Sequence, residues 1–304
     1  MRLLICVLIL LVGCADPGNA PASDSILEVT GRIGYKPLDE ASGLAQSRLQ
    51  PDLLWAINDG GRPILYGIGV DGGKRGKVEI RKAGQRDWED LAAFTLDGVD
   101  YLLVADIGDN DSKRRDVTLY VVEEPDPDPD AEAVDIAWRI DFSYPDGPRD
   151  AEAIAVDTAR QQILVLTKRD IPARLYVLPL KPNTDETILA EYVDVVDSLP
   201  QPNRRDINAA PIRDDWFWQP TAMDIAADAS SALILTYRGI YFYSRNGDED
   251  WPAAFRRPPL ELRLAGLAKA ESITFGDSAG YAFVTVERRN APIVRIDLSG
   301  VAEQ

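Results

Sequence analysis

The apolar residues of this 304-residue chain come in short runs with turn residues between them. Runs such as LLWAIND, YLLVADIG, ILVLTK and AFVTVE combine β-branched and aromatic residues over a length that is typical of strands. No long segment shows the 3.6-residue period of an amphipathic helix. From residue 26 onward, the pattern therefore predicts an all-β fold.

The runs align as one unit that occurs five times along the chain. The first strand of each unit starts at a polar position, in the order Ser42, Glu89, Glu152, Thr221 and Glu271. The second strand ends 16 or 17 residues later, at Asn58, Asp106, Lys168, Tyr237 and Glu287. A third strand ends near Tyr66, Tyr120, Tyr176, Tyr243 and Val294, and a fourth is expected near 76–83, 134–142, 188–196 and 260–265.

Five units of four strands predict a five-bladed β-propeller. The fifth unit lacks a fourth strand before the chain ends at Gln304, and ILEVTGRIGY at residues 26–35 could supply it. Such closure would remove the exposed edges of the first and last units. A six-bladed propeller is an alternative, because the long stretch between Glu152 and Thr221 has room for more strands. A β-sandwich is a second alternative, but it does not explain the constant spacing.

The N-terminus has the features of a bacterial lipoprotein signal. Met1-Arg2 precedes an apolar run from Leu3 to Val12, which is too short to span a bilayer and suits the core of a secretory signal. The run ends in LVGC, which resembles the lipobox that is cut before a lipidated cysteine, here Cys14. We therefore expect a signal peptide at 1–13, a lipidated cysteine and flexible tether at 14–25, and a single propeller domain at 26–304. Membrane contact would then occur through the lipid anchor only.

Ala15 stands where an inner-membrane retention signal usually has Asp, which favours the outer membrane of the bacterial cell envelope.

The charge balance excludes several classes of function. The chain has 33 Lys plus Arg, 50 Asp plus Glu and no histidine, giving a formal net charge of −17. Nucleic acid is an unsuitable partner, because it is bound by neutralising its phosphates with basic residues. The absence of histidine excludes catalytic triads and His-ligated metal sites. Any chemistry must therefore use carboxylates, Lys, Arg, Tyr or a hard metal.

We expect the protein to be a monomer. Its expected partner is a polar small molecule or an envelope protein.

The repeat places many polar residues around one mouth of the predicted channel. Loops from the outer strand of one blade to the inner strand of the next lie on the same face as loops between second and third strands. The predicted ligand-binding residues there are Lys168, Arg238, Arg288, Asp59, Glu152 and Glu271. The predicted metal ligands are Glu89, Asp90, Asp106 and Asp109, and their oxygen-rich chemistry suits calcium. The alternative is that these acids only satisfy backbone N–H groups and pair with the bases.

Several segments together resemble a known family. SGLAQS, LWAINDGG, LYGIGVDG, DWEDLAAF and YLLVADIGDN look like a family of bacterial secreted or lipid-anchored β-propeller proteins, and they are distantly similar to β-propeller phytases and phytase-like esterases. The close resemblance covers residues 40–124. It implies metal roles for Asp59, Glu89, Asp90, Asp106 and Asp109. It also implies phosphate roles for Lys168, Arg238 and Arg288.

Three functions remain open from the sequence. The favoured one is a lipid-anchored envelope propeller that binds a polar ligand, a metal ion or a protein at its channel mouth. The second is a calcium-dependent phosphoester hydrolase, which needs no histidine. The third is a glycoside hydrolase, with Glu152 or Glu271 as the acid and Asp59 or Asp106 as the base.

Overall fold

The computed structural model describes residues 27–126, 133–205, 218–263, 267 and 269–301. The predicted signal peptide, the lipidation site Cys14 and the tether lie outside the described residues. The described residues form five sheets of antiparallel strands. In the first two blades, a short parallel strand extends the outer edge of the sheet. The five-bladed β-propeller is thus confirmed, and the six-bladed and sandwich alternatives are wrong.

The strands follow the chain from blade to blade. The first strand, β1, covers Leu27–Arg32. Blade 1 contains β2 (Ala41–Gln46), β3 (Leu53–Asn58), β4 (Ile64–Gly69) and β5 (Lys74–Ile80). Blade 2 contains β6 (Trp88–Leu96), β7 (Val99–Asp106), β8 (Val117–Glu123) and β10 (Ile136–Ser143). The short strand β9 (Ala133–Val134), which precedes β10 in the chain, pairs with β5 and extends blade 1.

Blade 3 contains β11 (Ala151–Asp157), β12 (Gln162–Thr167), β13 (Ala173–Pro179) and β15 (Glu191–Val196). The short strand β14 (Ile188–Leu189), which precedes β15 in the chain, pairs with β10 and extends blade 2. Blade 4 contains β16 (Pro220–Ile225), β17 (Ser231–Thr236), β18 (Gly239–Ser244) and β19 (Leu260–Arg263). A short helix, α1 (Trp251–Phe255), precedes β19, and the Asp250 side chain caps its N-terminus by accepting from Ala253 N. Blade 5 contains β20 (Ala270–Phe275), β21 (Tyr281–Val286) and β22 (Pro292–Asp297).

The N-terminal strand closes the ring, as predicted. β1 pairs antiparallel with β22, so that Leu27 lies opposite Ile296 and Arg32 lies opposite Pro292. The outermost strand of blade 5 therefore comes from the start of the chain. Because the two ends of the chain meet in one sheet, blade 5 does not end in an unpaired β22.

The hydrophobic core lies between neighbouring blades. Trp55 of blade 1 and Trp88 of blade 2 are fully buried in one shared cluster, and Trp251 and Phe255 of α1 fill a second cluster with blades 3 and 4. Both faces of the inner part of each sheet are covered, so strands such as β3 are buried at every position. This packing explains why the apolar runs in the sequence are continuous rather than alternating.

Each inner strand has a bulge at the same place. The pairing register shifts by one residue near the start of β2, β6, β11, β16 and β20. The unpaired residues are the first landmarks of the sequence repeat: Ser42, Glu89, Glu152, Thr221 and Glu271. A bulge bends the strand and redirects a side chain. The repeated polar position is therefore a structural device that the fold uses in every blade.

Candidate metal and ligand site at the channel mouth

The bulged residues border a cavity at one mouth of the channel. The cavity measures about 160 Å³ and receives side chains from all the inner strands except β16. It is lined by Ser42, Asp59, Glu89, Asn110, Glu152, Lys168, Arg169, Tyr237, Lys269, Glu271 and Glu287. Of the predicted site residues, the structure thus brings together Asp59, Glu89, Glu152, Lys168 and Glu271.

Three carboxylates form a tight group on the side of blades 1 and 2. Asp59, Asp87 and Glu89 each offer one oxygen, and these oxygens lie within 4.8 Å of one another. The backbone holds the first of them in place, because Asp59 N donates to Glu40 O at 2.9 Å and Trp88 N donates to Asp59 O at 3.2 Å. The arrangement suits a cation, since oxygen ligands of this kind are those that calcium prefers.

Glu89 is the most enclosed member of this carboxylate group. Its side chain is only 8% exposed, and no described residue donates a hydrogen bond to its carboxylate. Gly108 makes the space for it, because a Cβ at that position would lie 2.1 Å from Glu89 Oε1. Burial makes an uncompensated negative charge costly, so a proton or a cation would stabilise this group.

The pKa values of the three acids also indicate that a proton or a cation stabilises the group. Burial raises the pKa of Asp59 to about 7, and the hydrogen bond and negative charge of Asp87 act in the same direction. Burial and the charges of Glu152, Asp87 and Asp59 raise the pKa of Glu89 well above its usual range. Burial also raises the pKa of Asp87. Without a cation, these acids therefore hold their protons to higher pH than free carboxyl groups do.

A hydrogen-bonded chain crosses the opposite side of the mouth. Lys168 forms an ion pair with Glu152, and its Nζ donates to Tyr237 OH at 3.3 Å. Tyr237 OH in turn donates to Glu271 Oε1 at 2.6 Å. Burial raises the pKa of Glu152 to about 8, although Lys168 opposes the shift, and burial raises that of Glu271 to about 7. This side can therefore accept or release a proton within the neutral range.

Asp90, a predicted metal ligand, lies below the mouth among the inner strands. Its side chain is fully buried, and its carboxylate accepts hydrogen bonds from Leu91 N and Ile154 N at 2.9 Å and from Met223 N at 3.3 Å. These contacts join the inner strands of blades 2, 3 and 4. The structure does not place Asp90 in the carboxylate group.

Asp106 and Asp109, the other two predicted metal ligands, contact Arg114. Arg114 Nη1 lies 2.9 Å from Asp106 Oδ1, and Arg114 N donates to Asp109 Oδ2 at 2.7 Å. Asp106 also accepts from Asp87 N at 3.3 Å. Asp106 therefore orients the segment that carries Asp87, while neither aspartate belongs to the carboxylate group.

Arg238 and Arg288, both predicted to bind an anion, do not line the cavity. Arg238 Nε lies 3.1 Å from Glu261 Oε1 on the outer strand β19, and Arg288 is exposed after the end of β21. Lys168 is the one predicted base that reaches the cavity, where Arg169 and Lys269 accompany it.

The sequence pattern assigns no metal or ligand role to Asp87, Tyr237 or Arg114. Asp87 stands two residues before Glu89, a spacing that places both side chains on one side of an extended segment and could have indicated the group. Tyr237 marks the end of a second strand, where the other blades have a polar residue. Arg114 lies in SKRRD, and nothing in that segment distinguishes it from its neighbours.

The comparisons with known proteins concern the fold alone. The PQQ-bound aldose sugar dehydrogenase of Streptomyces coelicolor is 10% identical, with a TM-score of 0.48, and the alignment covers 89% of this chain and 97% of that one. A nidogen/laminin complex contains a chain that is 13% identical, with a TM-score of 0.45 and coverage of 88% and 78%. No family model matches the sequence, and no curated protein matches it either. Among the described residues, no helix is both long and apolar enough to cross a membrane.

Proposed function

We propose that this protein binds a divalent cation, with calcium as the best fit, and a polar ligand at the mouth of its propeller channel. The observation that carries the proposal is the group of Asp59, Asp87 and Glu89, in which no described residue donates a hydrogen bond to the nearly buried Glu89 carboxylate. A cation would bind that carboxylate and compensate the burial that raises the pKa of all three acids.

Calcium fits the donor set for two reasons. It takes six to eight oxygen ligands in flexible geometry, and three carboxylates offer at most six oxygens. The group opens into the mouth cavity, so the remaining coordination positions face space that water or a ligand can occupy. A ligand with an anionic group would lie between the cation and the bases of the opposite side, Lys168, Arg169 and Lys269.

Calorimetric titration of the purified full chain with calcium and with magnesium tests this proposal. We expect one calcium ion to bind, and Asp59→Asn to weaken calcium binding at least about tenfold, because it removes a charged ligand. Asp109→Asn is the matched control and should bind calcium as the wild type does. Equal affinity in the wild type and Asp59→Asn, or loss of binding in Asp109→Asn only, would contradict the site.

A calcium-dependent phosphoester hydrolase is the second candidate. It is supported by the position of Lys168, Arg169 and Lys269 in the same cavity as the carboxylate group, because bases there could stabilise charge on a phosphoryl oxygen. A bound calcium would supply Lewis-acid polarisation. The third function, a glycoside hydrolase, stays a prediction. Its two candidate acids already have partners in the cavity, because Glu152 is paired with Lys168 and Glu271 accepts a hydrogen bond from Tyr237.

We also propose that Cys14 is lipidated and holds the protein in the bacterial cell envelope, as the LVGC motif suggests. In a bacterial host, Cys14→Ser should move the protein from the membrane fraction to the soluble fraction and remove the mass of the lipid. Cys6→Ser, which alters the predicted signal peptide only, should leave the mature protein lipidated and membrane-bound. A Cys14→Ser protein that stays in the membrane fraction would refute the anchor.

A further inference from the structure

A large groove lies on blade 1, beside the channel mouth but separate from its cavity. It measures about 930 Å³ and runs between the 33–40 connection and strands β4 and β5. The Asn58-Asp59-Gly60-Gly61 loop divides the two spaces: Asp59 lines the mouth cavity, while its neighbours Asn58 and Gly60 line the groove. Asn58 supports this wall by accepting hydrogen bonds from Asp39 N and Glu40 N at 3.1 and 2.9 Å.

The groove contains a tyrosine hydroxyl that has no hydrogen-bond partner among the described residues. Tyr66 lines it, and only 6% of this residue is exposed. Its hydroxyl makes no hydrogen bond with any described residue, whereas the neighbouring Tyr35 hydroxyl donates to Gly76 O at 2.7 Å. A hydroxyl that opens into a groove at the end of an otherwise buried side chain is a place where a ligand can donate or accept a hydrogen bond.

The charges of the groove favour an anion. Lys77 lies directly opposite Tyr66 in the β4–β5 pairing, and Lys74 lies 5.3 Å from the centre of the Tyr35 ring. Neither lysine forms an ion pair within the described part of the chain. This is notable in a protein with a net charge of −17.

The acids near these lysines do not neutralise them. Asp39 lines the groove and its charge acts on Tyr66, but its carboxylate is paired with Arg289 at 2.9 Å. Glu79 is paired with Arg62. Glu40 lies at the end of the groove next to the Asn58–Gly61 loop, where its charge acts on Asp59. The two lysines and the Tyr66 hydroxyl therefore form the anion-attracting part of the groove.

We propose that this groove binds a small organic anion, whose phosphate or carboxylate group is held by Lys74, Lys77 and the Tyr66 hydroxyl. The volume is much larger than one such group needs, and it falls in the range of small-molecule sites. The body of the ligand contacts Pro37 and Ile64, which supply apolar surface on the same groove. The site is independent of the cation at the channel mouth, because none of its three binding groups belongs to the mouth cavity.

The test uses glucose 6-phosphate and glucuronate as probes of the two anionic groups, with glucose as the neutral probe. Binding to the purified full chain is measured by calorimetry at millimolar concentrations, with a chelator present to exclude the cation site. We expect at least one anion to bind more tightly than glucose, and the probe that binds identifies phosphate or carboxylate as the preferred group. The Lys74→Gln/Lys77→Gln double variant should weaken that binding at least about tenfold, and Tyr66→Phe about threefold or more.

Lys181→Gln is the matched control, because Lys181 is also exposed and lies 4.7 Å from the centre of an aromatic ring, that of Trp138. It should leave anion binding unchanged. Absence of binding by both anions, or equal binding by the wild type and the double variant, would overturn the proposal. Binding that is lost in Lys168→Gln but kept in the double variant would overturn it as well, since the anion would then occupy the channel mouth.

Discussion

Replacing Glu89 with glutamine is expected to raise the melting temperature of the metal-free protein and to remove the stabilisation that calcium gives to the wild type. Glutamine keeps the shape of the side chain and is neutral without a bound proton, so folding no longer requires this buried carboxyl either to take up a proton or to carry its charge beside Glu152, Asp87 and Asp59. Its amide can also donate to the two remaining carboxylates of the group. We expect a gain of about 1–2 kcal/mol without metal, or roughly 2–6 °C for a domain of this size.

With calcium bound, the wild type should instead be more stable than Glu89→Gln. At a calcium concentration of about 100 times the dissociation constant, binding stabilises the wild type by about 2.7 kcal/mol, and the variant should lose most of this gain. Thermal unfolding with calcium and with chelator measures both effects. Glu28→Gln, at an exposed position of β1, should change neither melting temperature. A Glu89→Gln protein that is less stable than the wild type without metal, or equally stabilised by calcium, would contradict this account.

The pH dependence of stability should have the same origin. The pKa of Asp59 rises from 3.8 in an unperturbed chain to about 7 in the folded protein, so the folded state holds a proton that the unfolded state has released. The metal-free wild type should therefore lose stability as the pH rises from about 4 to about 7. Calcium replaces that proton, and saturating calcium should reduce the loss.

Replacing Asp90 with alanine is expected to cost about 3 kcal/mol or more of unfolding free energy, whether or not calcium is present. The substitution removes the acceptor for Leu91 N, Ile154 N and Met223 N, and each buried N–H that loses its partner costs about 1–3 kcal/mol. Because these N–H groups belong to three inner strands, the effect concerns the junction of three blades.

Urea unfolding measures the loss at Asp90. Asp90→Asn keeps one acceptor oxygen and should cost less than Asp90→Ala. Asp111→Ala removes an exposed carboxylate that pairs with Lys113, and it should change the stability by less than about 0.5 kcal/mol. A loss below about 1 kcal/mol in Asp90→Ala would show that the carboxylate does not hold the inner strands together.

Much of the fold was predictable because the propeller repeats a local pattern. The distance between Ser42 and Asn58, or between Glu152 and Lys168, is set by one antiparallel pair of strands and its turn, so it recurs in every blade. The closing role of residues 26–35 followed from the missing fourth strand of blade 5. The short parallel strands β9 and β14 were not predicted, since two-residue pairings leave no pattern in the sequence.

The site was predictable in position but only partly in composition. The repeat placed Glu89, Glu152 and Glu271 at the mouth, and the structure shows why, since all three are bulged residues of inner strands. The repeat could not show that Glu89 faces the mouth while its neighbour Asp90 lies among the inner strands, because the bulge changes the usual alternation of side chains between them. Nor could it show that Arg114 lies beside Asp106, since that contact depends on the path of the 107–116 loop.

At the channel mouth, one calcium ion should replace protons held by the group of Asp59, Asp87 and Glu89. Calorimetric titration of the wild type with calcium near pH 6.5, repeated in buffers with different heats of ionisation, measures both binding and proton release. We predict one bound calcium ion and the release of at least about one proton per ion, because the pKa of Asp59 lies at about 7 and burial also raises the pKa of Asp87 and Glu89. Absence of calcium binding, or calcium binding without proton release, would contradict the account.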